Sequence, residues 1–369
     1  MKLMLLSLMA AGAFAQAPDL NSIPSYKKEY DVVGGLRIAG SELKGSVDLL
    51  VEGFRKFQPN AKISTNFMTS SEGALGMMYG GASDVAPMGD DAKITDQMPF
   101  FNSFGYVPTE LSIATGGFEK RGTLFAWAIM VNKDNPIAKL SIDQLDRIFG
   151  SERTGGWEVG ANAQNNLLFT AKYARGPETN IRTWGQLGLA GEWANKPIET
   201  YGYVAPGFAV SFERMVMHWS TKWNPNFHEY VEAKEALGDQ VASDRMYEAI
   251  EKNEYGIGWG ALMHVDGNCV NPEGSKCAAH PGVKVIAISR TAEGPAVPLT
   301  ADNVASRAYP LARDAYIYVN KAPGRAMDPK VREFLRFILS REGQEIIAKN
   351  GPYTNLPVAY IREQLKKLD

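Results

Sequence analysis

Cysteine is scarce: the 369-residue chain carries two, Cys269 and Cys277. A fold built on several disulfides is therefore excluded. Long hydrophobic runs are missing as well. No stretch after the amino end reaches the roughly 18 apolar residues of a bilayer-crossing helix, so direct membrane insertion is not expected. Charge of one sign is not in excess, the formal net charge being -2. Without a strong field of one sign the chain has no electrostatic means of recruiting nucleic acid or anionic lipid. There is no basic stripe, heptad pattern, internal repeat or low-complexity tail. Catalytic signatures such as G-x-S-x-G, H-E-x-x-H and the Walker sequence do not occur. His218, His228, His264 and His280 show no i, i+4 pairing, the spacing that would put two metal ligands on one helix face. No enzyme activity, cofactor or resident metal is expected.

What is present begins with "MKLMLLSLMAAGAFAQAPDL". Lys2 precedes an apolar run from Leu3 to Ala11, and Ala13-Phe14-Ala15 fits an A-x-A cleavage site before Gln16. Residues 1–15 read as a secretory signal peptide, so a soluble, exported chain is expected. No cysteine stands at the cleavage site to take a lipid anchor. In "GNCVNPEGSKCAAH", Cys269 and Cys277 are separated by seven residues, mostly polar or turn-forming. In an exported chain this pair reads as a disulfide stapling a surface loop. His264 and His280 flank it, which leaves a metal site as the alternative.

Beyond the signal peptide the chain is longer than one core usually serves, and two domains are expected. Leu36–Ala39 reads as a strand. Val47, Leu50, Val51 and Phe54 then recur at helical spacing, "AKISTNF" is a second strand, and Ser70 or Ser71 caps a short helix. This is the βαβ rhythm of a parallel sheet, whose ligand loops leave the carboxyl ends of the strands. "TLFAWAIMVNKDNP" is a long apolar strand. In "LSIDQLDRIFG", Ser141 and Gln144 form a capping box and Leu145, Ile148 and Phe149 the buried face. "IRTWGQLGL" is expected to start a helix, and 208–252 to be mostly helical. "YPLARDAYIYV" is a returning strand. The expected division is 16–120 plus 306–369 as a discontinuous lobe 1, and 121–305 as an inserted lobe 2. Two such lobes joined by two crossings can hinge around a ligand.

These residues resemble a known family. "GASDVAPMGDD" is similar to the motif around the ligand-contacting Asp of the periplasmic phosphate-binding proteins of ABC transporters. "IAGS" is similar to their first ligand loop and "SSEGALGMM" to their second. "NKDNPIAKLSIDQLDRIFGSERTGGW" closely follows their Asn–short helix–Gly…Trp stretch, and "KYARGPETNIRTW" stands in place of their Arg…Ser-Gly-Thr loop. The likeness runs over roughly 35–350. It implies an α/β, two-lobed type II periplasmic binding protein fold with mixed sheets and two hinge crossings. It also implies a periplasmic location, a monomer, an ABC permease as docking partner and a small anionic solute, phosphate first, as guest.

The ligand set that the resemblance implies is Ser41, Glu42, Ser70, Ser71, Asp84, Arg175, Thr179 and Asn180. Hydroxyls and helix N-termini supply neutral donors to an oxyanion, and an Arg fork can bind two of its oxygens. A carboxylate such as Asp84 only accepts hydrogen bonds, so it favours a guest that retains a proton, as hydrogen phosphate does and sulfate does not. This chain departs from the pattern at Glu42, Glu72, Glu178 and Ile181. Three glutamates raise the energy of a bound dianion. Either they point away, or Lys44 and Arg182 compensate, or the guest is another solute: a different oxyanion, or an amino-bearing or phosphorylated organic compound. A relative that keeps the fold for a structural role is the remaining reading.

Overall fold

The computed structural model describes residues 20–41, 43–67, 70–116, 126–204, 209–230, 242–261, 279–350 and 353–369. The segment 1–15, Glu42, Cys269 and Cys277 lie outside the described residues, as does most of the first expected lobe crossing.

Alternating burial along Gly34–Ala39 (β1) makes a strand, and the apolar stripe Val47, Leu50, Val51 and Phe54 docks Lys44–Phe57 (α1) on it. Ala61–Asn66 (β2) follows, then Ser71–Tyr79 (α2), Val85–Met88 (β3), Ile94–Phe104 (α3) and Thr109–Gly116 (β4). With the later strands Asp314–Val319 (β14) and Tyr353–Thr354 (β15), these form a six-stranded sheet in the order β15-β4-β14-β3-β1-β2. β2 and β3 run parallel to β1, whereas β14 is antiparallel to β3 and β4. One core joins α1 to the helix Pro329–Ile338 through Phe54, Phe334 and Phe337; a second holds Leu75, Met78, Phe100 and Tyr318.

The second sheet is built from Trp127–Asn132 (β5), Glu199–Gly202 (β9), Phe227–Glu229 (β10), Gly256–Ala261 (β11) and Val283–Val285 (β12), in the order β10-β9-β11-β5-β12. Two short pairs accompany it: Lys139–Ser141 (β6) with Ala287–Ser289 (β13), and Gly156–Val159 (β7) with Leu167–Thr170 (β8). Its core holds Trp127, Trp184 and Trp259, all 2 % exposed or less. Ile142–Phe149 (α4) begins as expected, with Ser141 Oγ accepting from Gln144 N at 3.2 Å and Gln144 Oε1 from Ser141 N at 2.9 Å.

One helical expectation fails and one holds only in part, since 208–252 ends in the helix Ala242–Lys252 but is interrupted before it. The stretch from Ile181 holds only 3₁₀ turns, Trp184–Leu187 and Gly191–Trp193. Gly188 lies in the left-handed region at φ 89°, and a Cβ at Gly185 would stand 2.1 Å from the Ala194 carbonyl oxygen. Within 208–252, the helix Ala209–Met215 (α5) ends in a turn where His218 and Trp219 have φ 53° and 64°, and β10 follows. Pro225 lacks a backbone N–H, which weighs against a helix continuing through this stretch.

The sheets meet where two backbone stretches run side by side. Gly116 N donates to Arg313 O at 2.6 Å, and Trp127 N to Leu311 O at 3.0 Å. The Tyr309 hydroxyl donates to Trp127 O at 2.8 Å, and the Arg313 guanidinium lies over the Trp127 ring at 4.6 Å.

Candidate functional site

β1 delivers Gly40 and Ser41 to the carboxyl edge of the first sheet. Gly40 passes so close to β3 that a Cβ there would stand 2.5 Å from Pro87 O and 2.8 Å from the Phe67 ring. Ser41 is buried; its N–H donates to Pro87 O at 3.0 Å and its Oγ lies 3.5 Å from Ser71 Oγ. Ser70 caps α2 by accepting from Gly73 N at 3.3 Å. Ser41, Ser70 and Ser71 are thus brought together, with hydroxyls beside a helix N-terminus suited to an anion. Glu72 forms an ion pair with Lys93, whose hydrogen bond holds its carboxyl at about 2. Lys44 pairs with Asp48 one helical turn on.

Asp84 is not part of this group. It stands at the amino end of β3, where its carboxylate takes Arg37 N at 2.8 Å and Arg37 Nη2 at 2.6 Å. Burial pushes the carboxyl up, but the Arg37 hydrogen bonds and charge outweigh burial and leave it below the usual carboxylate range. The loop after β3 starts five residues later at Gly89, about 16 Å away at 3.3 Å per residue. The acceptor expected at Asp84 is therefore committed to Arg37, which is 49 % exposed. The residues that β3 carries to its carboxyl end are Asp90 and Asp91.

Both of these acids were passed over in the sequence reading, and both are engaged. Asp90 pairs with Arg313, a buried side chain whose Nε has no hydrogen-bond partner. Asp91 pairs with Arg214 of α5, which also grips Glu110 of β4 through two 2.8 Å bonds. The Tyr318 hydroxyl adds a 2.8 Å bond to Glu110. Arg214 therefore ties an element of the second sheet to β3 and β4 of the first. The available signal was position: two carboxylates directly following a buried strand that runs parallel to β1, whose own carboxyl end carries Ser41.

In the second lobe Arg175, Thr179 and Asn180 do come together. Arg175 Nη1 donates to Thr179 Oγ1 at 3.4 Å and to Asn180 Oδ1, while Nη2 donates to Asp146 O at 2.9 Å. Its Nε is buried without a hydrogen bond, 3.6 Å from Asp146 Oδ2. Asp146 also receives Arg153 through two 2.6 Å bonds. Asp146, Arg153, Arg175 and Thr179 line a cavity of about 580 Å³ that Arg147, Lys172, Tyr173 and His218 also border. Tyr173 and His218 stack at 4.0 Å, and burial lowers the His218 pKa. Glu178 lines the same cavity. Arg182 instead donates to the carbonyls of Arg147, Ile148 and Gly150. Ile181 is buried in the lobe core.

A family model described as "PBP superfamily domain" matches residues 25–342. The phosphate-binding protein PstS of two Pseudomonas aeruginosa strains is 28% identical over 367 residues, covering 98% of this chain and 97% of each relative. Among solved structures, PstS from Borrelia burgdorferi superimposes with a TM-score of 0.50 at 14% identity, covering 87% of this chain and 98% of that one. The model match spans the whole second sheet and every strand of the first except β15, so the chain belongs to the PBP superfamily, with that superfamily's mixed α/β, two-domain architecture.

Proposed function

We propose that this protein is an exported solute-binding protein that captures an oxyanion, phosphate first, between its lobes and passes it to an ABC permease. The observation that carries this reading is the end-to-end likeness to a phosphate-binding PstS. The gathered hydroxyls of Ser41 and Ser71 and the buried Arg175 Nε are consistent with it. In this reading Ser41, Ser70 and Ser71 form the first-lobe half of the site, and Arg175, Thr179 and Asn180 the second. Asp90 or Asp91 takes the acceptor role in place of Asp84. The lobes divide near 120 and 306, residues 1–15 direct export to the periplasm, Cys269 and Cys277 form a loop disulfide, and the protein works as a monomer without catalysis.

A second reading has one observation of its own. The Arg175 cavity, at about 580 Å³, is far roomier than one tetrahedral oxyanion requires. A phosphorylated organic compound would fill it better.

The test is calorimetric titration and thermal melting with phosphate, sulfate, molybdate and glycerol 3-phosphate. A ligand at 100 times its Kd stabilises by about 2.7 kcal/mol. A phosphate-specific rise that is lost in Arg175→Ala supports the first reading. A rise with the ester alone supports the second, and no response to any of the four refutes both.

A further inference from the structure

Most of the charged side chains described so far are paired, but one groove carries acid without base. Among the described residues, a surface groove of about 360 Å³ is lined by two carboxylates, Glu213 and Glu229, by the rings of Trp223 and Phe227, and by Val204 and Asn224, with no basic side chain in its lining. We propose that this groove is a binding site for a small organic ammonium ion.

The floor is rigid. Trp223 stacks on Phe212 at 5.6 Å and on Trp259 at 6.1 Å, and Phe227 leans on it at 4.9 Å. Trp223 Nε1 donates to Glu213 Oε1 at 3.1 Å, which sets the carboxyl beside the indole. Glu229 extends the groove from the end of β10 and enters no ion pair among the described residues. An ammonium resting on the ring face gains the cation–π attraction of a tryptophan and the charge of the neighbouring carboxylates together. An apolar floor favours alkylated ammonium over a hydrated metal ion. No group of three or more His, Cys, Asp or Glu suited to a metal occurs among the described residues.

The charge state of Glu213 couples to such a guest. Burial raises its pKa to about 7, opposed by the Trp223 hydrogen bond and by the charge of Lys93 from the first lobe. Lys93 is itself paired with Glu72, and the adjacent Arg214 with Asp91 and Glu110. A bound cation stabilises the ionised carboxylate and so releases a proton near neutrality. Affinity should therefore rise with pH between 6 and 8.

The experiment titrates choline chloride into the full mature chain at pH 6 and pH 8, with potassium chloride at equal ionic strength as control. Expected are a choline-specific rise in Tm and a Kd several-fold lower at pH 8. Proton release should appear as a calorimetric heat that depends on the buffer. The isosteric Glu213→Gln should weaken binding at least tenfold and abolish the pH dependence, and Glu229→Gln should weaken it less. Near-ultraviolet circular dichroism checks that each variant is folded. Equal effects of choline and potassium, or undiminished choline binding by folded Glu213→Gln, would overturn the proposal. The phosphate response is measured separately and is unaffected by either outcome.

Discussion

Arg214 offers the sharpest test of how the lobes are held together. Its guanidinium spans Asp91 and Glu110 and also lies 5.5 Å from the Trp219 ring and 5.6 Å from the Tyr316 ring. Asp91 is only 3 % exposed, so Arg214→Ala removes its ion-pair partner in a poorly solvated place. Removing one partner of a fully buried pair costs about 3–5 kcal/mol. The Arg214 side chain is 31 % exposed and Glu110 25 %, so water recovers part of that cost. The expected loss is about 2–4 kcal/mol. Urea unfolding should show it as a lower midpoint with little change in slope. Arg214→Lys should recover only part, because an ammonium cannot hold Glu110 through a two-pronged fork. In a double-mutant cycle with Glu110→Gln, the coupling energy should exceed about 1 kcal/mol. A loss below about 1 kcal/mol for Arg214→Ala would mean that solvent already screens this bridge, and the reasoning about the lobe contact would fall.

Three further outcomes follow from the same geometry. Asp84→Asn, which disturbs an exposed pair with Arg37, should cost no more than about 1 kcal/mol and leave the phosphate Kd unchanged in calorimetry; a tenfold weaker Kd would restore Asp84 to the site. Glu213 has a raised folded pKa, so its contribution to stability is complete below its unfolded value near 4.5 and is lost as pH rises towards about 7. Glu213→Gln should therefore match the parent near pH 4.5, gain on it as pH rises to about 7 and level off above that in thermal melts; a constant difference would contradict the shift. Gly40→Ala should cost about 1–3 kcal/mol through overpacking against Pro87 O and should also weaken phosphate binding by moving Ser41, as read by melting and calorimetry together.

Local rules were legible where the residues concerned lie near one another in the chain. The stripe Val47, Leu50, Val51 and Phe54 marks α1, and the Ser141–Gln144 box marks the start of α4, because helical periodicity and capping act over a few residues. The same local rules misled at 181–193 and 216–229, where glycines, a proline and left-handed residues replaced the expected helices with turns. In the candidate site the grouping of Ser41 with Ser71, and of Arg175 with Thr179 and Asn180, could be read from loop order.

The sequence by itself determined which segments bury an apolar face and where α2 and α4 begin. Only the tertiary structure decided which end of β3 presents its acids. Register sets Asp84 against Arg37 and sends Asp90 and Asp91 to the opposite edge, and no local pattern encodes that choice. It also decided that Arg214 meets Asp91 across 123 positions of chain, and that Glu213 sits where burial holds its proton near neutral pH. Charge pairing and desolvation depend on distance through space, which the order of residues along the chain does not set.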